Sequence, residues 1–133
     1  MEIIAANHAS EEKLQRFLKD NKDVEKNLLL EKGYVVEIDD TIEGCFVLDT
    51  VEDDIYWLKQ LYVTKNKAGS LPVLLETILA LAKEKQAKQV YVHSHQPMVD
   101  VLLEALQFYP QKENEITDKL PKNNGNWWTY NVS

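Results

Sequence analysis

The chain has 133 residues, enough for one domain, and its 44% hydrophobic and 28% charged residues make a globular mix, not a disordered one. Its formal net charge is −7. A surface this acidic repels nucleic-acid phosphates and anionic membrane faces, so no nucleic acid and no membrane is expected as a partner, which leaves small molecules and proteins.

Met1-Glu2-Ile3-Ile4-Ala5-Ala6-Asn7 shows no basic stretch followed by an apolar one, so no signal peptide is read, and no apolar run reaches the length of a membrane span. Cys45 is the single cysteine. An intrachain disulfide is therefore impossible, and between apolar neighbours Cys45 reads as a buried, inert thiol. The expectation is one cytoplasmic domain over residues 1–133.

Met1 to Asn7 reads as a short opening strand. Ser10 then caps a helix whose first turn holds Glu11 and Glu12, where carboxylates favour the helix dipole. Leu14, Phe17 and Leu18 follow helical spacing on one face. A second helix runs from Asp23 to Lys32, with Gly33 as its stop signal. From Gly33 the period becomes that of strands: Tyr34–Ile38, a turn over Asp39–Gly44, Cys45–Leu48, a turn over Glu52–Asp54, then Ile55–Val63. Three strands joined by short turns imply an antiparallel meander.

The last of these strands changes phase. Tyr56 and Leu58 share one face, whereas Leu61 and Val63 have the opposite parity, with Lys59-Gln60 at the slip. A β-bulge there would restore the phase; a strand buried on both faces needs none.

Lys65-Asn66-Lys67-Ala68-Gly69-Ser70 is a polar loop, with Ser70 placed to cap the next helix and Pro72 tolerated in its first turn. Leu71, Leu74, Leu75, Ile78 and Ala82 form that helix's buried stripe. Gln89–His93 is a strand. Pro97 opens a further helix with Val99, Leu102, Leu103 and Leu106 on one face. This strand–helix–strand unit should be parallel and right-handed. A long polar loop from Gln111 to Gly125 precedes a last strand, Trp127–Val132. Trp127 and Trp128 point to opposite faces, so at least one packs in the core; the other, if exposed, marks a dimer or substrate surface.

This order of elements resembles the GNAT family of N-acetyltransferases, most specifically from Leu58 to Phe108. That family's bulged fourth strand precedes a Gln/Arg-x-x-Gly-x-Gly/Ala turn, matched here by Asn66-Lys67-Ala68-Gly69-Ser70-Leu71. Gly69 keeps the first glycine, while Asn66 and Leu71 depart from the pattern. Gln96-Pro97 resembles the family's Asn-Pro. Its Tyr-x-x-x-Gly-Phe falls on Leu103–Phe108, where only the Phe remains.

The resemblance implies an α/β (α+β) fold: a mixed sheet, with an antiparallel meander followed by a parallel βαβ unit and a splayed fourth and fifth strand. It also implies acetyl-CoA as cosubstrate and an amine acceptor, a small molecule or a peptide. Leu61, Val63, Lys65, Lys67, Ala68, Gly69, Ser70 and Leu71 are the implied cofactor-binding residues. The physical logic is that a helix start offers unpaired N–H groups, Gly69 allows close backbone approach, and Lys65 and Lys67 add positive charge, which suits a pyrophosphate. Leu71 adds a side chain, and Pro72 removes a donor. An amine would attack the thioester directly, with bulge N–H groups stabilising the oxyanion. Leu103 stands where the family has its proton donor, at a cost of about 10²–10⁴ in rate, and Lys59 and Gln60 offer no obvious base.

His93-Ser94-His95 invites a metal reading, but a catalytic zinc needs a third protein ligand and His8 is the only other histidine; no metal is expected. His95 is the candidate proton acceptor, set against a surface histidine near a helix start. Tyr109 lies beyond the helix and reads as packing. The other readings are a non-catalytic GNAT-like module that binds coenzyme A, another ligand or a protein, and a structural homodimer.

Overall fold

The computed structural model describes residues 1–94, 96–110 and 126–132. Its strands form a seven-stranded mixed sheet in the order β1-β2-β3-β4-β5-β7-β6. They are β1 (Glu2–Ala5), β2 (Gly33–Ile38), β3 (Thr41–Glu52), β4 (Ile55–Val63), β5 (Gln89–Ser94), β6 (Tyr109–Pro110) and β7 (Asn126–Asn131). The helices are α1 (Glu11–Asp20), α2 (Lys26–Lys32), α3 (Leu71–Glu84) and α4 (Pro97–Ala105). The chain divides into two compact units, Met1–Leu48 with Lys59–Leu71 and Asp49–Leu58 with Pro72–Ser133.

In the first unit β1 pairs antiparallel with β2, and β2 pairs antiparallel with β3, as the first two strands of the expected meander should. Ser10 accepts from the Lys13 N–H at 3.4 Å and caps α1, whose Leu14 and Phe17 are buried. They pack with Leu29, Val35, Ile42, Cys45 and Val47 into one core. Helix α2 begins at Lys26, three residues later than Asp23, because the Val24 N–H turns back to the Asn21 carbonyl at 3.2 Å. Strand β3 is also longer than Cys45–Leu48. Asp39 and Asp40 both have positive φ, 52° and 68°, the backbone of a two-residue hairpin turn. Ile38 therefore already faces Thr41, where the sequence suggested a turn out to Gly44.

In the second unit β4 and β5 are parallel, from Ile55↔Gln89 to Leu58↔Val92. Strand β5 pairs antiparallel with β7 over Gln89↔Asn131 to Ser94↔Asn126. Leu74, Leu75, Ile78 and Ala82 give α3 its buried stripe. Strand β6 escapes a sequence reading because it is two residues long and ends in proline. Trp127 and Trp128 are both buried, so neither marks an exposed dimer or substrate surface. Trp127 packs on Trp57 and Tyr91, while the Trp128 indole N–H donates to Asp100 Oδ1 at 2.8 Å, the partner a buried indole needs. The polar stretch 111–125 and His95 lie outside the described residues. Among the described residues no helix is long and apolar enough to cross a membrane.

Candidate functional site

Strand β4 breaks at Gln60, whose φ is 52°. This left-handed conformation costs a non-glycine residue roughly 1–2 kcal/mol, and bulges use it to shift a strand's side chains by one position. The break separates buried Leu58 from half-buried Leu61 and Val63, at the place where the sequence changes phase. Gln60 is held by the rest of its unit. Its Oε1 accepts from the Glu25 N–H at 2.8 Å, at the start of α2, and its carbonyl accepts from the Cys45 thiol at 3.5 Å. The Gln60 side chain thus serves a helix start. Burial pushes the Cys45 thiol up to about 12, which keeps it protonated and unreactive.

Strand β3 carries an irregularity of its own. Val36 faces Gly44 and Glu37 faces Ile42, so Glu43 is the extra residue of a bulge. The Glu43 carboxylate accepts from Thr41 Oγ1 at 2.8 Å and from Thr64 Oγ1 at 2.6 Å. The Glu43 carbonyl also accepts from the Thr64 N–H at 2.9 Å. Neither residue stood out in the sequence. A glycine after Glu43 inside a strand-like run was the one available signal.

From Thr64 the chain enters a 3-10 turn, Lys65–Ser70, that runs directly into α3. Ser70 is the last residue of that turn, and Leu71 after it is already helical at φ −57° and ψ −43°. The Lys67 N–H donates to the Thr64 carbonyl at 3.0 Å, and the Leu71 N–H donates to the Ala68 carbonyl. The Lys67 and Leu71 amides are thereby used inside the turn. A Cβ at Gly69 would meet nothing within 4 Å, so the backbone there is open to close approach.

Charge is unevenly committed. The Lys67 ammonium bonds the Asp39 carboxylate at 3.1 Å. Lys13 bridges Asp40 at 2.7 Å and Glu37 at 3.0 Å; those hydrogen bonds raise the Lys13 pKa, and the same ammonium lowers that of Asp40. Lys65 is exposed and lines a cavity of about 400 Å³ with Lys13, Arg16, Phe17, Tyr62 and Thr64. The Phe17 and Tyr62 rings meet there edge to face at 6.3 Å.

In the second unit Leu103 is fully buried, so neither its chemistry nor its exposure suits proton transfer. Tyr109 is 39% exposed and its hydroxyl donates to Asn131 Oδ1 at 3.3 Å, which corrects the reading of Tyr109 as packing. His93 is half-buried against Trp127, with ring centroids 4.7 Å apart.

No protein-family model matches the chain, and no curated protein matches its sequence. Solved structures do match in fold. The N-acetyltransferase PseH of Campylobacter jejuni superposes with a TM-score of 0.74 at 13% identity, covering 99% of this chain and 98% of that one. A GNAT-family acetyltransferase of Staphylococcus aureus gives 0.71 at 17% identity, covering 99% of each chain. The N-acetylglutamate synthase of Neisseria gonorrhoeae, solved with coenzyme A and N-acetyl-glutamate, gives 0.71 at 18% identity; the match covers 99% of this chain but 35% of that one. The chain has the fold of the GNAT acetyltransferases.

Proposed function

We propose that this chain is an acyl-CoA-dependent N-acyltransferase that takes acetyl-CoA or a similar thioester and acylates an amine. The observation that carries this reading is one stretch of backbone: left-handed Gln60 within β4, then the Lys65–Ser70 turn running into α3. A similarly folded synthase was solved with coenzyme A, which supports the cosubstrate. The open backbone at Gly69 fits a pyrophosphate, with Ala68 and Ser70 on either side and exposed Lys65 as counter-charge. Leu61 and Val63 lie along the same path. Leu71 contributes the first turn of α3, and Lys67 contributes its stem, its ammonium being shared with Asp39.

The thioester supplies the acyl group. The chain's part is to hold it beside the strand break, where backbone N–H groups of β4 would stabilise the developing oxyanion. The amine nitrogen forms its bond to the acyl carbon as the carbon–sulfur bond breaks, and the amine's proton passes to solvent. With Leu103 buried, the sulfur leaves as thiolate, which a thiol pKa near 8.5 allows. The acidic surface suits a cationic acceptor such as a polyamine, an aminoglycoside or a Lys-rich peptide, and a cytoplasmic setting suits the lone buried thiol.

Leu103 also favours a second reading, a non-catalytic module that binds coenzyme A or a protein partner. Thiol release from acetyl-CoA, measured against a panel of such amines, separates the two. Turnover supports the transferase, and acetyl-CoA binding without turnover supports the module. No binding rejects both, and would leave a structural homodimer as the simplest account.

A further inference from the structure

We propose that Glu43 is a positioning residue for the Lys65–Leu71 turn, fixing where the turn begins before any ligand arrives. This rests on reading that turn as the acyl-CoA phosphate site. The geometry is specific. The β3 bulge leaves Glu43 as the unmatched residue, with Val36↔Gly44 on one side and Glu37↔Ile42 on the other, and such bulges re-aim a side chain. The re-aimed carboxylate accepts from Thr64 Oγ1 at 2.6 Å while the Glu43 carbonyl accepts from the Thr64 N–H at 2.9 Å. Thr64 is held by both its backbone and its side chain. The second carboxylate oxygen accepts from Thr41 Oγ1 at 2.8 Å, which fixes the carboxylate's own orientation.

Thr64 is also the residue from which the turn is built, because its carbonyl accepts from the Lys67 N–H at 3.0 Å. The far side of the hairpin reinforces the hold. Asp39, at the β2–β3 turn, bonds the Lys67 ammonium at 3.1 Å. The β2–β3 hairpin therefore grips the turn at both Thr64 and Lys67, and Glu43 supplies the half-buried grip. A turn held this way spends less of its binding free energy on ordering itself.

The test compares Glu43→Ala, Glu43→Gln, Thr64→Val and the Glu43→Ala/Thr64→Val pair by calorimetric titration with acetyl-CoA and by amide hydrogen exchange without ligand. Loss of a charge-assisted hydrogen bond predicts about a tenfold weaker Kd for Glu43→Ala. Most of that loss should be recovered in Glu43→Gln, which keeps an oxygen acceptor for Thr64. Thr64→Val should match Glu43→Ala, and the double variant should be no worse than either single one. In the ligand-free protein, exchange at the Lys67 amide should accelerate at least tenfold in Glu43→Ala while amides in α1 keep their protection. Wild-type affinity in a folded Glu43→Ala, or strictly additive losses in the pair, would overturn the proposal. If the wild type itself fails to bind acetyl-CoA, the phosphate-site reading fails, and the exchange result alone then decides whether Glu43 holds the turn.

Discussion

Gly44 stands so close to Tyr62 that a Cβ at position 44 would lie 2.7 Å from the Tyr62 carbonyl oxygen. A side chain there must push β3 and β4 apart just beyond the Gln60 break. Gly44→Ala should therefore destabilise the protein by about 1–3 kcal/mol, the usual cost of overpacking. The reading is a lower denaturant midpoint with unchanged slope. A midpoint equal to wild type would show that the two strands can separate freely.

Gln60 should tolerate substitution according to backbone, not polarity. Its φ of 52° is hardest on β-branched residues, so Gln60→Val should cost about 2 kcal/mol or more. Gln60→Gly relieves the backbone strain but loses the acceptor for the Glu25 N–H, and it should be the milder change. Chemical denaturation of the two variants side by side checks the order; both lose the acceptor for the Glu25 N–H, so Gly worse than Val would contradict a backbone strain at position 60.

Cys45 sets an alkaline limit on stability. Its thiol pKa is about 12 in the folded chain against an ordinary value of 9.0. Above pH 9 the unfolded chain loses this proton while the folded chain keeps it, so stability falls as pH rises, by about 1.4 kcal/mol per pH unit from this group. Stability measured from pH 8 to 10.5 should fall more steeply in wild type than in Cys45→Ala. Parallel curves would remove the thiol from the account.

Much of the fold was legible because hydrophobic period survives without knowledge of contacts. Leu74, Leu75, Ile78 and Ala82 repeat with helical spacing, and all are buried. The phase change at Lys59-Gln60 was legible for the same reason, and it falls where Gln60 turns left-handed. What periodicity could not show was pairing at a distance. The Glu43–Thr64 hydrogen bond joins residues 21 apart, and it exists only because a bulge turns Glu43 out of register. The burial of Trp128 was hidden likewise, since it depends on Asp100 reaching the indole from α4. The length of β3 was misjudged because two aspartates adopt positive φ where glycine or asparagine is the usual cue.

If the chain is a transferase, its rate should be slow and should rise with pH towards the acceptor's own pKa. Leu103 is buried carbon and the Gln60 side chain is committed to the Glu25 N–H, so the amine must arrive deprotonated. A rate–pH series on wild type and His95→Ala checks this. A bell-shaped profile between pH 6 and 8, roughly the range of a tuned histidine, that loses its acidic limb in the variant would assign a base to His95.

The central claim is that the Lys65–Leu71 turn binds the phosphates of acyl-CoA, and Gly69→Asp tests it most directly. Nothing lies within 4 Å of a Cβ at Gly69, so the substitution should leave the fold and thermal midpoint intact while adding bulk and negative charge where phosphate would sit. Titration calorimetry with acetyl-CoA should show measurable binding to wild type and a loss on the order of 100-fold in Gly69→Asp, as a like charge against phosphate requires. Equal affinity for the two folded proteins would contradict the claim and move the ligand, if there is one, to another part of the chain.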